Sequence, residues 1–306
     1  MQNVHDVLTT EEGQRAFAHW RLAGLDRLEC ELEAQLSCAL MPPARLHEAV
    51  RYAVFGGGKR LRPLLCQASG VALGADRQAL DTVGAAVEMV HISSLVYDDL
   101  PAMDDDSLRH GRPSVHIQFD EATAILAGSA LLTQAFMTLR HTPIPPARQA
   151  LLMETLARAA GPDGLCGGQM LDLDSLGSVI GLPVLNLMYQ MKTGALIRAA
   201  VRMGALCAEP SDADLEALDR YATAIGLAFQ VVDDILDVTQ DSATLGKTAG
   251  KDAQDHKPTY VSVFGLDPSR RLARLLNEQA HAALAGFDAR ATYLRELADQ
   301  IVNRLH

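Results

Sequence analysis

Two apolar helical segments, each running directly into aspartates, constrain the fold of this chain most strongly. The first, Asp76–Tyr97, has few polar residues after Glu88 and is followed by "DDLPAMDDD". The second, Ala222–Val238, reads "ATAIGLAFQVVDDILDV". A helix that is apolar on every face is either buried or within a membrane, and these segments have too few apolar residues to span one. They are therefore predicted to be the central helices of a helical assembly.

The rest of the chain is also predicted to be helical. Aromatic residues make up only 5% of the sequence, strand-like alternation is scarce, and Ala, Leu, Glu, Gln and Arg fill long segments. No linker and no internal repeat divides the chain, so residues 1–306 are predicted to form one all-α domain of about ten or more helices. The other predicted helices are Arg15–Leu40, Arg45–Val54, Pro63–Leu73, Glu121–Arg140, Ala147–Ala160, Leu182–Leu206, Asp212–Val238, Arg270–Ala285 and Ala291–His306.

The composition excludes some functions and favours one compartment. A formal net charge of −11 argues against a general nucleic-acid binder, which needs a basic surface. The five cysteines form no C-x-x-C pair, which indicates reduced thiols. The N-terminal sequence "MQNVHDVLTTEEG" lacks the features of a signal peptide, and no uninterrupted run of about 18 apolar residues occurs. A cytoplasmic protein without a transmembrane segment is therefore expected.

The aspartates can be interpreted in two ways. Alone, "YDDLPAMDDD" fits a solvated acidic helix end as well as it fits a binding site. Two such ends are better explained as facing walls of one cavity. The first end contains Asp98, Asp99 and Asp104, and the second contains Asp233, Asp234 and Asp237. Carboxylates brought together need cations, and oxygen ligands without His or Cys favour Mg²⁺ shared with substrate phosphates. The pattern predicts a phosphorylated small molecule bridged by Mg²⁺.

Basic residues lie at separated positions around these clusters. The sequence "GGGKRLRP" places Lys59, Arg60 and Arg62 after three glycines, which suits a phosphate or a solvated turn but lacks the Walker spacing. Lys192 stands alone in an apolar helix, where it needs a partner or a ligand. Other cations follow the acidic segments: Arg109, Arg112, Lys247, Lys251 and Lys257. Two acidic walls with several separated cations suggest two diphosphates.

Seven ordered segments resemble the trans (head-to-tail) isoprenyl diphosphate synthases, in particular bacterial farnesyl and geranylgeranyl diphosphate synthases. They are "GGGKRLRP", "VEMVHISSLVYDDLPAMDDDSLRHGRPSVH", "EATAILAGSALL", "GLCGGQMLDLD", "KTGALIRAAVRMGA", "IGLAFQVVDDILDV" and "TLGKTAGKD…HKPTY". The resemblance covers most of the chain and is weakest near its N-terminus. It implies an isoprenoid-synthase-type helical bundle around a central cavity, Mg²⁺ as cofactor, isopentenyl and allylic diphosphates as substrates, and a homodimer.

The resemblance also implies roles for single residues. Mg²⁺ would be held by Asp98, Asp99, Asp104, Asp233, Asp234 and Asp237. Ionisation of the allylic diphosphate would depend on these aspartates, apart from Asp237, together with Lys192. The same diphosphate would be bound by Arg109, Lys192, Thr193, Gln230, Lys247 and Lys257. Isopentenyl diphosphate would be bound by Lys59, Arg62 and His91. Phe229 would line the cavity near the carbocation, although its spacing alone fits a core residue.

Product length would depend on the floor of the cavity. The resemblance implies a tail that grows down the helix ending in Asp98, and the residue five positions earlier lies about 7.5 Å away along that helix. Bacterial farnesyl synthases typically have an aromatic residue there, whereas this chain has Ser93, with Ser94 beside it. The small floor predicts the C20 product, geranylgeranyl diphosphate. The alternative is the C15 product, farnesyl diphosphate, with Met89 and Val90 forming the floor one turn further down.

One further position departs from the family pattern. Many members have two arginines after the first aspartate motif, the second contacting isopentenyl diphosphate, whereas this chain has Arg109 followed by His110. A neutral histidine holds a diphosphate less well, so weaker or pH-sensitive binding is expected.

Two rival functions are disfavoured. A terpene cyclase needs a second motif of the type N/D-D-x-x-S/T-x-x-x-E, and Asp237 and Asp241 break that pattern. A non-catalytic partner subunit of another synthase is expected to lose one aspartate motif, and this chain has both.

Overall fold

The computed structural model describes residues 11–178, 180–240 and 257–304, and helices dominate this part of the chain. The helices are α1 (Glu11–Gln35), α2 (Ala44–Val54), α3 (Leu61–Ala72), α4 (Arg77–Asp98), α5 (Val115–Gln118), α6 (Glu121–Leu139), α7 (Pro146–Ala160), α8 (Leu165–Asp174), α9 (Leu182–Tyr189), α10 (Ala195–Leu206), α11 (Asp212–Thr239), α12 (Tyr260–Phe264), α13 (Leu266–Ala283) and α14 (Thr292–Asn303). A π-helical segment, Gln190–Gly194, joins α9 to α10, and a 3₁₀ segment spans Ala285–Ala291. Two short antiparallel strands, β1 (Leu108–Arg109) and β2 (Arg112–Pro113), follow the first aspartate cluster.

Polar caps fix where the two central helices begin. Asp76 accepts hydrogen bonds from two backbone amides in the first turn of α4, at 2.9 and 3.2 Å. Ser211 and Asp214 form a reciprocal capping box at the start of α11. Such acceptors satisfy amides that a helix end leaves unpaired. The caps therefore help to set the register in which each helix delivers its aspartates to the opposite end.

The two central helices are enclosed by their neighbours. Helix α4 packs mainly against α6 and α3, and α11 packs mainly against α13 and α10. Two apolar clusters, one including α4 and the other including α11, form the core. The predicted all-α bundle with these helices at its centre is confirmed. A single domain over residues 1–306 stays a prediction.

Some predicted boundaries differ from the structure. The helix predicted for Arg15–Leu40 ends at Gln35, because turns follow it before the Pro42–Pro43 pair. The sequence does not predict α8, since adjacent glycines lower helix propensity. The short helices α5 and α12 are also not predicted.

Two helices are long and apolar enough to cross a membrane by length and composition alone, namely α4 and α6. In α4, 83% of the apolar window is buried inside the protein, which is typical of a core helix. In α6 only 39% is buried. A helix can therefore be apolar enough to span a membrane without an uninterrupted apolar run. Core helices of soluble proteins also meet this criterion of length and composition.

A glycine permits the close approach of α10 to α3. A Cβ atom at Gly204 would lie 2.1 Å from the carbonyl oxygen of Cys66 and 2.3 Å from Ser69 Oγ. The Ser69 hydroxyl also donates a hydrogen bond to the carbonyl of Val201 at 2.8 Å. The two helices are therefore in backbone contact at this point.

Gly204→Ala is expected to lower the free energy of unfolding by about 1–3 kcal/mol, because the new methyl group must displace backbone atoms. Urea unfolding of the purified variant measures this change. Gly286→Ala is the matched control, since a Cβ atom there meets nothing within 4 Å, and it should change stability by less than about 0.5 kcal/mol. Equal effects in the two variants would contradict the close-packing argument.

Candidate active site

The C-terminal ends of α4 and α11 face each other across a cavity of about 290 Å³. Asp98 and Asp104 line it on the side of α4, and Asp233 lines it on the side of α11. Other predicted site residues that line the same cavity are Arg62, His91, Ser94, Arg109, His110, Lys192, Thr193, Phe229, Gln230 and Lys257. The structure thus brings together residues that lie far apart in the sequence.

Asp99 is turned toward Arg109 and lines a smaller neighbouring pocket. Its side chain is buried, and Arg109 Nε donates to Asp99 Oδ1 at 3.0 Å while Nη2 contacts the same oxygen. Arg109 Nη2 also lies 3.6 Å from a carboxylate oxygen of Asp106. Burial raises the pKa of the Asp99 carboxyl, and the hydrogen bond from Arg109 opposes that rise. Asp99 therefore positions Arg109 at the edge of the cavity.

Asp234, the second member of the Asp233–Asp234 pair, is hydrogen-bonded to other protein groups. Asp234 is buried and accepts hydrogen bonds from the Tyr189 hydroxyl at 2.9 Å, the Tyr260 amide at 2.9 Å and Gln230 Nε2 at 3.1 Å. Asp237 is also buried, and neither of its carboxylate oxygens has a hydrogen-bond partner within the described part of the chain. Among the aspartates of α11 that were predicted to bind metal, Asp233 is the one that lines the cavity.

Lys192 and Lys257 lie beside Asp172, a carboxylate that sequence analysis did not single out. Lys192 Nζ donates to Asp172 Oδ2 at 2.5 Å, and Lys257 Nζ lies 3.7 Å from the same oxygen. Lys257 Nζ also donates to Asp104 Oδ1 at 2.9 Å. Burial lowers the pKa of Lys192, but Asp172, Asp98 and Asp104 outweigh burial and raise it. Asp172 therefore helps to hold Lys192 in its charged form and also lies close to Lys257 at the cavity wall.

The sequence contained a hint that Asp172 belongs to the site, but it did not indicate what Asp172 does there. It belongs to the segment "GLCGGQMLDLD", which carries part of the family resemblance. Only the packing of α8 against the π-helical segment brings Asp172 next to Lys192. A Cβ atom at Gly168 would lie 2.0 Å from the Lys192 amide nitrogen, so glycine is required for this approach.

The π-helical segment presents Lys192 and Thr193 to the cavity. Such bulges inside α-helices are rare and are frequent at functional sites. The Thr193 hydroxyl donates to Gln230 Oε1 at 2.9 Å, and Gln230 in turn donates to Asp234. The chain of hydrogen bonds links this segment to the acidic end of α11.

Asp98 is a carboxyl of the cavity wall with a clearly raised pKa. Burial raises its pKa to about 6, with Asp104 and Asp99 adding to the rise and Lys192 and Arg109 opposing it. An ionised Asp98 therefore gains from a cation bound beside it.

A second pocket of about 230 Å³ adjoins the first and shares Arg62, His91, Arg109, His110, Phe229 and Asp233 with it. Lys59 also lines it. Arg62 Nη1 lies 3.1 Å from His91 Nε2, with Arg62 buried and His91 partly buried. Burial lowers the pKa of Arg62, and burial together with the Arg62 charge lowers the pKa of His91 well below its usual value. His91 is therefore neutral beside a cation.

Arg304, which follows α14, is an unpredicted member of this pocket. Its Nη2 lies 2.9 Å from Asp233 Oδ1, and its guanidinium lies 5.2 Å from the centre of the Phe229 ring. Burial and then the charge of Arg304 lower the pKa of Lys59, while Asp233 raises it. The pocket thus has a strongly cationic lining on one side.

The predicted chain-length residues lie in different environments. Ser93 is 3% exposed, and its hydroxyl donates to the Gly128 carbonyl of α6 at 2.8 Å. Met89 and Val90 are fully enclosed in the apolar core. Ser94 lines the cavity, with its hydroxyl donating to the His91 carbonyl at 2.7 Å.

The remaining predicted ligand, Lys247, lies outside the described residues, as does Lys251. Among the residues that are described, no three His, Cys, Asp or Glu side chains form a ready metal-binding group. The cavity aspartates instead come from several segments, namely the ends of α4 and α11, the turn after α4, and α8. This arrangement fits a metal that takes part of its coordination from substrate phosphates.

Comparison with known proteins identifies the family. The profile of the polyprenyl synthetase family matches residues 43–287. A probable farnesyl diphosphate synthase of Sinorhizobium fredii is 48% identical over 91% of this chain and 85% of its own length. Geranylgeranyl pyrophosphate synthase 7 of Arabidopsis thaliana is 45% identical over 87% of this chain and 78% of its own length.

Solved structures agree with this result. A FPP/GFPP synthase from Zymomonas mobilis has a TM-score of 0.85, is 38% identical, and the match covers 94% of this chain and 99% of that one. A geranyltransferase from Helicobacter pylori, complexed with magnesium and isoprenyl diphosphate, has a TM-score of 0.83, is 30% identical, and the match covers 94% of this chain and 96% of that one. The chain therefore belongs to the polyprenyl synthetase family and is a prenyltransferase of the trans-isoprenyl diphosphate synthase type.

Proposed function

We propose that this enzyme condenses isopentenyl diphosphate with allylic diphosphates and ends at the C15 product, farnesyl diphosphate. The observation that carries the proposal is the pair of adjoining pockets. Carboxylates and lysines, namely Asp98, Asp104, Lys192 and Lys257, line the first alone, Lys59 and Arg304 line the second alone, and Arg62 and His110 line both. An acidic pocket suits a diphosphate bound through Mg²⁺, whereas a cationic pocket suits a diphosphate bound directly.

The first pocket is the proposed site of the allylic diphosphate. Asp98, Asp104 and Asp233 supply the cavity-lining oxygens that would hold Mg²⁺, and oxygen donors of this kind suit that ion. Bound Mg²⁺ would neutralise charge on the departing diphosphate. Asp99 and Asp234 would position Arg109 and Gln230, which they already contact. The role of Asp237 as a metal ligand stays a prediction.

The cations of this chain would complete the same site. Lys192 and Lys257 are held by Asp172 and Asp104, so their ammonium groups are in place before substrate arrives. Preorganised cations stabilise charge that develops in the transition state. Lys247 is proposed to join them by resemblance alone.

The second pocket is the proposed site of isopentenyl diphosphate. Holding its double bond next to the allylic carbon would make the attack effectively unimolecular. Leu95, Phe229 and other apolar side chains of the two pockets would limit access of water to the carbocation. We expect the proton to leave to the released diphosphate.

The C15 end point is supported by two observations. Relatives named farnesyl diphosphate synthase are 48% identical, while those named geranylgeranyl synthase are 44–45% identical. The prediction of a C20 product depends on an open floor at Ser93, whose side chain is closed off against Gly128. Of the four predicted chain-length residues, Ser94 is the one that lines the cavity. We also propose that the enzyme acts in the cytoplasm.

Product analysis tests this function directly. Purified protein, Mg²⁺, labelled isopentenyl diphosphate and each of the C5, C10 and C15 starters are incubated, and the dephosphorylated products are separated by chromatography. The C5 and C10 starters should end at a C15 alcohol, and the C15 starter should remain unchanged. A C20 product would support the alternative geranylgeranyl synthase. No elongation from any starter would favour a non-catalytic partner subunit.

Ser94→Tyr should shorten the product toward C10, because the ring would project into the cavity that Ser94 lines. The same product analysis with the C5 starter measures this effect. Ser93→Tyr is the matched variant, which must instead displace α6 and should mainly lower stability by about 1–3 kcal/mol. A shortened product in Ser93→Tyr but not in Ser94→Tyr would contradict the assignment of the floor.

His110→Arg is expected to lower KM for isopentenyl diphosphate about two- to fivefold at neutral pH, since the arginine adds one charge at an exposed position. Burial and then Arg109 lower the pKa of His110, so the imidazole is neutral at pH 7 and becomes charged only as the pH falls below that lowered value. The difference between wild type and variant should therefore shrink on acidification. Initial rates at a saturating allylic substrate measure KM from pH 5.5 to 8, and identical values for both proteins throughout would contradict the argument.

A homodimer is proposed through the exposed face of α6. No charged residue occurs between positions 122 and 139. Along this helix Leu126 is 59%, Met137 51% and Ile125 47% exposed. These side chains share a face with Ala122, Ser129 and Thr133. An uncharged face that exposes several apolar side chains is typical of a surface that another protein covers.

Leu126→Glu should convert a dimer to a monomer, because two buried carboxylates would face each other across a symmetric contact. Light scattering during size-exclusion chromatography measures the mass. Leu275→Glu, at a 49% exposed leucine of α13, is the control and should leave the mass unchanged. A wild-type monomer, or a dimer that survives Leu126→Glu, would contradict this interface.

A further inference from the structure

Glu88 is a buried carboxylate among the residues that line the second pocket, and the chemistry described above does not use it. It lies on α4 one turn before His91 and is 3% exposed. Its Oε1 accepts a hydrogen bond from Arg60 Nη1 at 3.1 Å, while its buried Oε2 has no hydrogen-bond partner within the described part of the chain. A carboxylate in such a position is costly unless cations surround it.

Each nitrogen of the Arg60 guanidinium, at the wall of the second pocket, has one protein acceptor. Its Nε donates to Glu29 Oε1 at 2.9 Å, and its Nη2 donates to the Val54 carbonyl at 2.6 Å. Together with the bond to Glu88, these contacts hold the guanidinium away from a ligand. Arg60 is also the N-cap residue of α3 and has a left-handed backbone conformation, with φ of 49°. Its anchoring therefore fixes the first turn of α3, which carries Arg62.

Arg62 has no ion pair within the described residues, and its place depends on the first turn of α3 that Arg60 anchors. Arg62 is 9% exposed, its Nε has no hydrogen-bond partner within the described residues, and its Nη1 faces a neutral His91. Glu88 is the strongest anionic neighbour that opposes the loss of its charge, followed by Asp233. If Mg²⁺ occupies Asp233, Glu88 remains as the main counter-charge of Arg62.

We propose that Glu88 is a positioning residue for isopentenyl diphosphate, acting through Arg60 and Arg62. The inference rests on the proposed function of the second pocket. The hydrogen bond from Arg60 to Glu88 ties the start of α3 to α4, and the first turn of α3 carries Arg62, which lines the second pocket together with Lys59. Removing the carboxylate leaves two buried cations near each other, with only the partly exposed Glu29 on Arg60.

Glu88→Gln preserves the shape of the side chain and removes its charge. We expect KM for isopentenyl diphosphate to rise about tenfold or more, which is the effect of losing one hydrogen bond to a charged group. KM for the allylic substrate should change less than about twofold, because Lys192 and Lys257 do not contact Glu88. Calorimetry with isopentenyl diphosphate alone should give a matching loss of affinity. Glu88→Asp, which restores the charge, should recover part of it.

Glu29→Gln is the matched control, since it removes the exposed partner of the same Arg60. It should leave both KM values within about twofold of wild type. Equal changes in both KM values for Glu88→Gln, or a loss of stability without a change in KM, would assign Glu88 a purely structural role and overturn the inference. If Glu88→Gln does not fold, an unchanged KM in Glu88→Asp would overturn it as well.

Arg62→Gln separates this inference from the proposed function. A raised KM for isopentenyl diphosphate in Arg62→Gln but not in Glu88→Gln would overturn only the role of Glu88. An unchanged KM in Arg62→Gln would contradict the assignment of the second pocket itself.

Discussion

The pairing of buried carboxylates with cations is the interaction on which the rest of this structure depends. Both central helices end in aspartates inside an apolar bundle, where an ionised carboxylate is costly unless it is compensated. The compensating contacts are Asp99 with Arg109, Asp104 with Lys257, Asp172 with Lys192, and Asp233 with Arg304. Each of these pairs joins two different segments of the chain. The pairs that compensate the site therefore also hold its walls together.

Each Asp-Asp pair is divided between two tasks. Adjacent residues of a helix point about 100° apart, so only one member of a pair can face the cavity directly. Asp98 and Asp233 face it, whereas Asp99 and Asp234 turn into the protein and hold other site residues. In each pair, the first aspartate thus presents its oxygens to the cavity, and the second holds a neighbouring side chain of the site in place.

Much of the fold could be predicted from the sequence, because helices that are apolar all round must be central. The composition of the site was also predictable, since aspartates closing two central helices must meet cations. The finer assignments were not. The direction of Ser93 depends on the position of Gly128 on α6, and the role of Asp172 depends on the packing of α8 against the π-helical segment. Such contacts between distant segments leave no trace in local periodicity.

The π-helical segment Gln190–Gly194 constrains the length of the chain as well as its residue types. It contains one more residue per turn than the α-helices on either side. Those flanks are fixed by buried side chains, including Leu185 and Met188 before it and Leu196 and Ile197 after it. Deleting one residue would restore a regular helix and rotate one flank by about 100° relative to the other. Either the core contacts or the direction of Lys192 would then be lost, so a single-residue deletion at this point is more damaging than most substitutions.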